Sequence, residues 1–231
     1  MGADAVTANA ADPDSRWLYR VGGISALVLG AAYIAIIPLY AHVGAPPSSS
    51  EAWLKYLSGK TTVWWAILGL SVLTDLLFVP VALSLYLALK RVHRSAMLIA
   101  TAFVGLFVVL DLAVTWSSYA ALLTLGGGYA AAANDGQRAI YVAAASYPSA
   151  VLTSRLEIVY AIVILSFAIF IIGIVMWKGI FSRATALLGL ITGILGIASL
   201  TGLTAIIIMN ALFATAWVLF VGYRLYRLGQ Q

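Results

Sequence analysis

The chain has 231 residues, of which 63% are hydrophobic and 9% charged, with a formal net charge of +5 and a mean hydropathy of +1.03. A soluble domain carries roughly 25% charged residues, so composition argues against an ordinary water-soluble fold. With no Cys and two His, neither of them mid-membrane, disulfides, thiol catalysis, Cys-ligated metals and a bis-His haem are excluded as well.

Several apolar runs exceed the roughly 18 residues that a membrane-spanning helix needs. Backbone groups in lipid must be paired internally, which leaves helices or a closed barrel. The runs are continuously apolar rather than alternating, which excludes the barrel. The expected fold is all-α, a polytopic membrane helical bundle with six transmembrane helices in one domain over residues 16–231.

Met1–Ser15 is small, acidic and without apolar periodicity, and is expected to be a disordered cytoplasmic tail. The apolar run behind it is too long for a cleavable signal, and Val6 breaks the myristoylation pattern. The first predicted span covers 17–43, flanked by Arg16 and Arg20. In it Gly22, Ala26 and Gly30 make a small-residue stripe suited to close helix packing. An outer loop, 44–62, follows. Pro46-Pro47 breaks the helix, and Ser48 with Glu51 matches a capping box. A short interfacial helix through about Leu57 should follow, with Trp53, Leu54 and Leu57 on its apolar side and Lys55 and Lys60 solvated.

The second span, 63–89, starts with interface anchors Trp64 and Trp65. Ser71 and Asp75 share a face at i, i+4, and Pro80 is expected to kink the helix below them. The basic elbow Lys90–Arg94 leads into the third span, 95–125, where Asp111, Thr115 and Ser118 form a polar stripe. At about 1.5 Å rise per residue, Asp75 and Asp111 lie roughly 21 and 24 Å from the elbow, within a turn of each other in depth. Spacing does not say whether they face each other.

The second outer loop, 126–149, opens on Gly126-Gly127-Gly128, expected to be flexible. A short surface helix is expected after Asp135-Gly136. The fourth span, 150–177, carries Arg155 and Glu157 in its outer third, pointing to nearly opposite sides. A second basic elbow, Lys178–Arg183, precedes the fifth span, 184–200, whose Gly189, Gly193 and Gly196 form another close-packing face. Thr201-Gly202 makes a tight turn. The sixth span, 204–225, carries Asn210 in its outer third and Tyr223, Arg224, Tyr226 and Arg227 at its inner end. With both termini cytoplasmic, nine basic residues lie inside and Lys55, Lys60, Arg138 and Arg155 outside, the bias of the positive-inside rule. The basic residues sit at helix ends, so the positive charge is not a nucleic-acid footprint.

The segment TDLLFVPVALSLYLALKRV, Thr74–Val92, resembles the second-helix signature of an uncharacterised prokaryotic multi-pass membrane protein family, catalogued as a domain of unknown function. The matching exit is Ala82, Leu83, Leu85, Tyr86, Leu89 and Lys90. The stretch IIGIVMWKGIFSRATALLGLITGILG, Ile171–Gly196, is similar to that family's fourth elbow and fifth helix. The resemblance covers about a fifth of the chain and implies a multi-pass protein of the prokaryotic cell membrane with no known activity.

Asp75 and Asp111 are the leading site candidates. A charge at the bilayer centre costs at least ~2.5–3.5 kcal/mol, and intramembrane acids often mark proton or ion paths. With no basic residue near their depth, at least one is expected to carry a proton. A packing role, as a neutral hydrogen-bond donor between helices, stays open beside the functional one. Ser71, Thr115 and Ser118 would complete a polar interior. Arg155, Glu157 and Asn210 form a second, outer candidate cluster, in which Arg155 is expected to pair with a carboxylate across the bundle. Trp116, Tyr119, Tyr160 and Trp217 lie deep enough to line a pocket or to pack the core. HExxH, GxSxG, P-loop and CxxC motifs are absent, so no catalytic residue, metal site or cofactor is expected.

These residues support a small proton-linked transporter or permease using intramembrane carboxylates. An alternative is a non-catalytic membrane subunit or assembly factor, meeting a second copy or another membrane protein through the Gly-rich faces of the first and fifth spans. A third is a lipid-modifying enzyme acting through Glu157 and Asp111, for which no motif speaks.

Overall fold

Apolar runs in lipid can satisfy their own N–H and C=O groups only by coiling into helices. The computed structural model describes residues 16–231, and these are helical apart from short connections, with no strand among them. The expected tail, residues 1–15, lies outside the described residues. Five helices are long and apolar enough to cross a membrane: Arg16–Val43, Thr61–Ala131, Arg155–Met176, Arg183–Thr201 and Thr204–Leu228.

In finer division the chain runs through α1 (Arg16–Val43), α2 (Ser50–Ser58) and α3 (Thr61–Leu110), then a π-helical turn, Asp111–Trp116, into α4 (Ser117–Ala131). Two short helices follow, α5 (Asp135–Ala144) and α6 (Ser146–Thr153). Then come α7 (Arg155–Ile158), a second π-helical turn, Val159–Val163, and α8 (Ile164–Met176). The last two long helices are α9 (Arg183–Ala198) and α10 (Thr204–Leu228).

The 71-residue stretch Thr61–Ala131 would be roughly 105 Å long if straight, over three times the ~30 Å hydrocarbon core. It is not straight. His93 breaks the helix at φ −158°, ψ 88°, inside the predicted basic elbow, and the two halves fold back on each other. Trp64 stacks on Tyr119 at 5.2 Å, Phe78 meets Phe107 edge-on at 5.8 Å, and Trp116 reaches Asp75. These pairs share one antiparallel register about His93. At Pro80, where a kink is expected, the dihedrals stay helical, and the break in the helix is at His93. The Ser84 hydroxyl ties this helix to α1, lying 2.7 Å from both Leu18 O and Pro80 O.

One side of residues 61–92 is buried, including Asp75, Phe78, Ala82 and Leu85, while Leu73, Leu76, Val79 and Leu83 are exposed along the other. Water-soluble monomers rarely expose contiguous apolar stripes of this kind, and helices of this length and composition can cross a membrane. Association of helices in lipid rests on close packing, which small residues permit. A Cβ on Gly23 would lie 2.5 Å from the Tyr226 backbone, and one on Gly193 would lie 2.9 Å from Phe170 Cα. The Gly faces of α1 and α9 are therefore covered by α3, α10 and α8 of the same chain. The expected docking of a partner through them loses its surface.

The outer layer differs from expectation in five places. Ser49, not Ser48, caps α2, accepting from Ala52 N–H at 3.3 Å. The apolar side of α2 is Trp53, Leu54 and Leu57 as expected, but it is buried in a cluster with Trp64 and Leu122 rather than laid in the interface. Lys60 is not simply solvated: its Nζ donates to His42 O and Val43 O at 3.1 and 2.9 Å, closing the end of α1. Gly44 turns the chain there at φ +80°, the left-handed cap that glycine tolerates. Gly126-Gly127-Gly128 stays helical within α4; a Cβ on Gly128 would lie 2.4 Å from the Tyr141 ring and one on Gly126 3.3 Å from Leu54 O, so these two admit neighbouring helices, while Gly127 meets nothing within 4 Å. The long helix of the predicted fourth span starts at Arg155, not 150, because Ser154 is extended and accepts from Leu156 N–H at 3.1 Å.

Candidate functional site

The hairpin brings the two intramembrane acids together. Asp75 and Asp111 are each 3% exposed, and one indole joins them. Trp116 Nε1–H points at Asp75 Oδ2, 2.9 Å away, and at Asp111 Oδ2, 3.1 Å away. With both oxygens against one nitrogen, they can be no more than about 6 Å apart. Two full charges at that separation repel by roughly 3 kcal/mol at an effective dielectric of about 20. One proton or one cation between them removes that cost.

The π turn makes this contact. In an α-helix Asp111 shares a face with Thr115 and Ser118, the stripe expected from the sequence. The i→i+5 turn over Asp111–Trp116 adds a residue per turn, and such bulges recur at functional sites. Trp116 swings under Asp111, Thr115 stays on the site face, and Ser118 leaves it. Ser118 is buried but bonds to Val114 O at 2.7 Å and does not line the site. Thr115 Oγ1 and Asp111 Oδ1 are both buried without a hydrogen-bond partner; Thr115 approaches the Asp111 carboxyl without completing a bond to it.

A cavity of about 380 Å³ opens beside the acid pair. Ser71, Asp75, Asp111 and Thr115 line it as expected, and so do Trp116 and Tyr119. Tyr160 and Trp217 do not line it; Trp217 packs the core instead. The outer cluster divides. Glu157 lines the cavity, half-buried and with no ion pair among the described residues. Asn210 lines it too, with Nδ2 donating to Thr192 O at 2.8 Å. Arg155 is exposed in the first turn of α7 and makes no ion pair among the described residues, so the expected pairing across the bundle is corrected. The break at Ser154 sets Arg155 at a helix end, where solvent is nearer than any carboxylate.

Two contributions from α1 were not singled out from sequence. Tyr33 and Tyr40 line the cavity with Ile36 and Ile37 between them. The signal was their i, i+3/i+4, i+7 spacing, one helical face. Three acids line the cavity and no Lys, Arg or His does. No three acidic or His side chains converge as a metal site among the described residues. Compared with known proteins, the chain matches no family model, no curated protein and no solved structure.

Proposed function

We propose that the protein is a small proton-linked transporter or permease of the prokaryotic cell membrane, with six spans, both termini cytoplasmic, and Asp75 and Asp111 as a carboxyl pair sharing a proton. The observation that carries this reading is the position of the pair: two buried acids bridged by one N–H, on the wall of a cavity with no basic counter-charge. Intramembrane acids of this kind are expensive and are kept where they bind or relay charge. Six spans follow from counting the Thr61–Ala131 hairpin as two crossings, and the nine-to-four distribution of basic residues then orients it.

The test is solute-driven proton movement in proteoliposomes, read with an entrapped pH-sensitive dye over a panel of cationic, neutral and anionic solutes. At least one class should move protons with wild type. None should do so with Asp75→Asn or Asp111→Asn, although both stay folded. Undiminished movement in both variants overturns the reading. The alternative, an assembly subunit, has lost its main support because the Gly faces are covered from within the chain.

A further inference from the structure

We infer that the cavity binds a protonated amine with an apolar body, which enters from the membrane side between α1 and α10. This rests on the transport reading and names the class of solute. The first support is charge: Asp75, Asp111 and Glu157 line the cavity without a single basic residue. The second is unused hydrogen-bonding capacity. Asp111 and Thr115 line the cavity, and their Oδ1 and Oγ1 atoms are buried without a completed hydrogen bond. An orphaned buried polar atom is unfavourable, and an ammonium group has N–H donors for the carboxyl and hydroxyl oxygens alike.

The third support is the wall itself. Tyr33, Tyr40, Phe107 and Trp116 line the space, and aromatic rings attract organic cations most strongly where water is excluded. The fourth is the mouth. Ile37, Tyr40 and Ile208 line the cavity while 37%, 38% and 53% exposed. They come from α1 and α10, so the opening lies between these helices and is apolar. A hydrated inorganic ion gains nothing from such a mouth, and no metal-ligand cluster is present among the described residues. An amine carrying a hydrocarbon or aromatic body fits both the mouth and the acids. The volume of about 380 Å³ falls at the small end of the ~300–1,000 Å³ of ligand sites, room for one such molecule.

The experiment is calorimetric titration of the full chain in zwitterionic nanodiscs at neutral pH. The ligands are phenethylamine, 2-phenylethanol and phenylacetate, which keep the ring and chain while the head is cationic, neutral or anionic; empty nanodiscs correct for partitioning. Phenethylamine should bind at least about tenfold more tightly than the alcohol, a difference of about 1.4 kcal/mol, and phenylacetate should not bind. Asp111→Asn should erase most of that preference. An alcohol that binds as tightly as the amine to wild type overturns the inference, whatever the variants do. Amine preference without proton movement in proteoliposomes keeps the inference and overturns the transport reading. Proton movement driven by a neutral solute, with no amine preference, does the reverse.

Discussion

Replacing Trp116 with Phe removes the one N–H that Asp75 Oδ2 and Asp111 Oδ2 share at 2.9 and 3.1 Å. In a soluble core each orphaned acceptor would cost about 1–3 kcal/mol. Inside a bilayer the scale is smaller: interhelical hydrogen bonds average about 0.6 kcal/mol and reach about 1.7, because unfolded helices in lipid find other partners. One donor divided between two acceptors falls on the bilayer scale, so the loss should be about 0.6–1.7 kcal/mol. Phe keeps most of the stacking on Tyr119, whose ring centroid is 5.4 Å from that of Trp116. The cost should therefore vanish when the acceptors are gone. SDS titration in mixed micelles, followed by far-ultraviolet circular dichroism, gives the four corners of a double-mutant cycle: wild type, Trp116→Phe, Asp75→Ala/Asp111→Ala and the triple variant. The expected coupling is about 0.6–1.7 kcal/mol, with Trp116→Phe costing under about 0.5 kcal/mol in the Ala background. Equal costs in both backgrounds would show that the indole only packs, and the bridging account would be wrong.

Three further outcomes follow from other parts of the molecule. Gly193→Ala should destabilise by about 1–3 kcal/mol, since its Cβ meets Phe170 backbone rather than a movable side-chain tip; Gly105→Ala, with nothing within 4 Å, should be neutral or stabilise by up to about 1 kcal/mol. The same SDS titration reads both. Arg155→Ala should change stability by no more than about 0.5 kcal/mol, because Arg155 is exposed and unpaired among the described residues; a larger loss would point to a carboxylate partner. Glu51 is held below the ordinary carboxylate range by the hydrogen bond from Lys55 and next by that from Tyr129. A depressed folded value stabilises at pH above the unfolded value and fades as pH falls through the folded one. Amide exchange in α2, corrected for intrinsic rates, should therefore rise only on acidification below that range, and Lys55→Met should flatten the response.

The membrane class and the hairpin were legible because they depend on coarse signals: apolar run length, and the elbow KRVHR between two runs of matched depth. The acids could be placed at one depth but not face to face, since facing depends on helix rotation. That rotation is set by the π turn at Asp111–Trp116, which inserts a residue without altering composition or hydropathy. For this reason Ser118 looked like a site residue and Trp116 only like a pocket candidate. Arg155 misled for a different reason. The apolar run continues past Ser154, yet the helix breaks there because the Ser154 hydroxyl caps α7. The glycines at 126–128 are ambiguous in sequence, because the residue that permits a flexible loop also permits close packing, and Tyr141 decides between them.

The most direct test of the carboxyl pair is infrared spectroscopy of the protein in lipid at neutral pH, comparing wild type with Asp75→Asn and Asp111→Asn. A pair sharing one proton predicts a protonated-carboxyl C=O band in wild type, which shifts in D2O because the pair lines the cavity. Either substitution should remove it, the remaining carboxylate being served by the new amide and by Trp116. A band that stays undiminished in the Asp75→Asn/Asp111→Asn double variant, or that wild type never shows, would contradict the account.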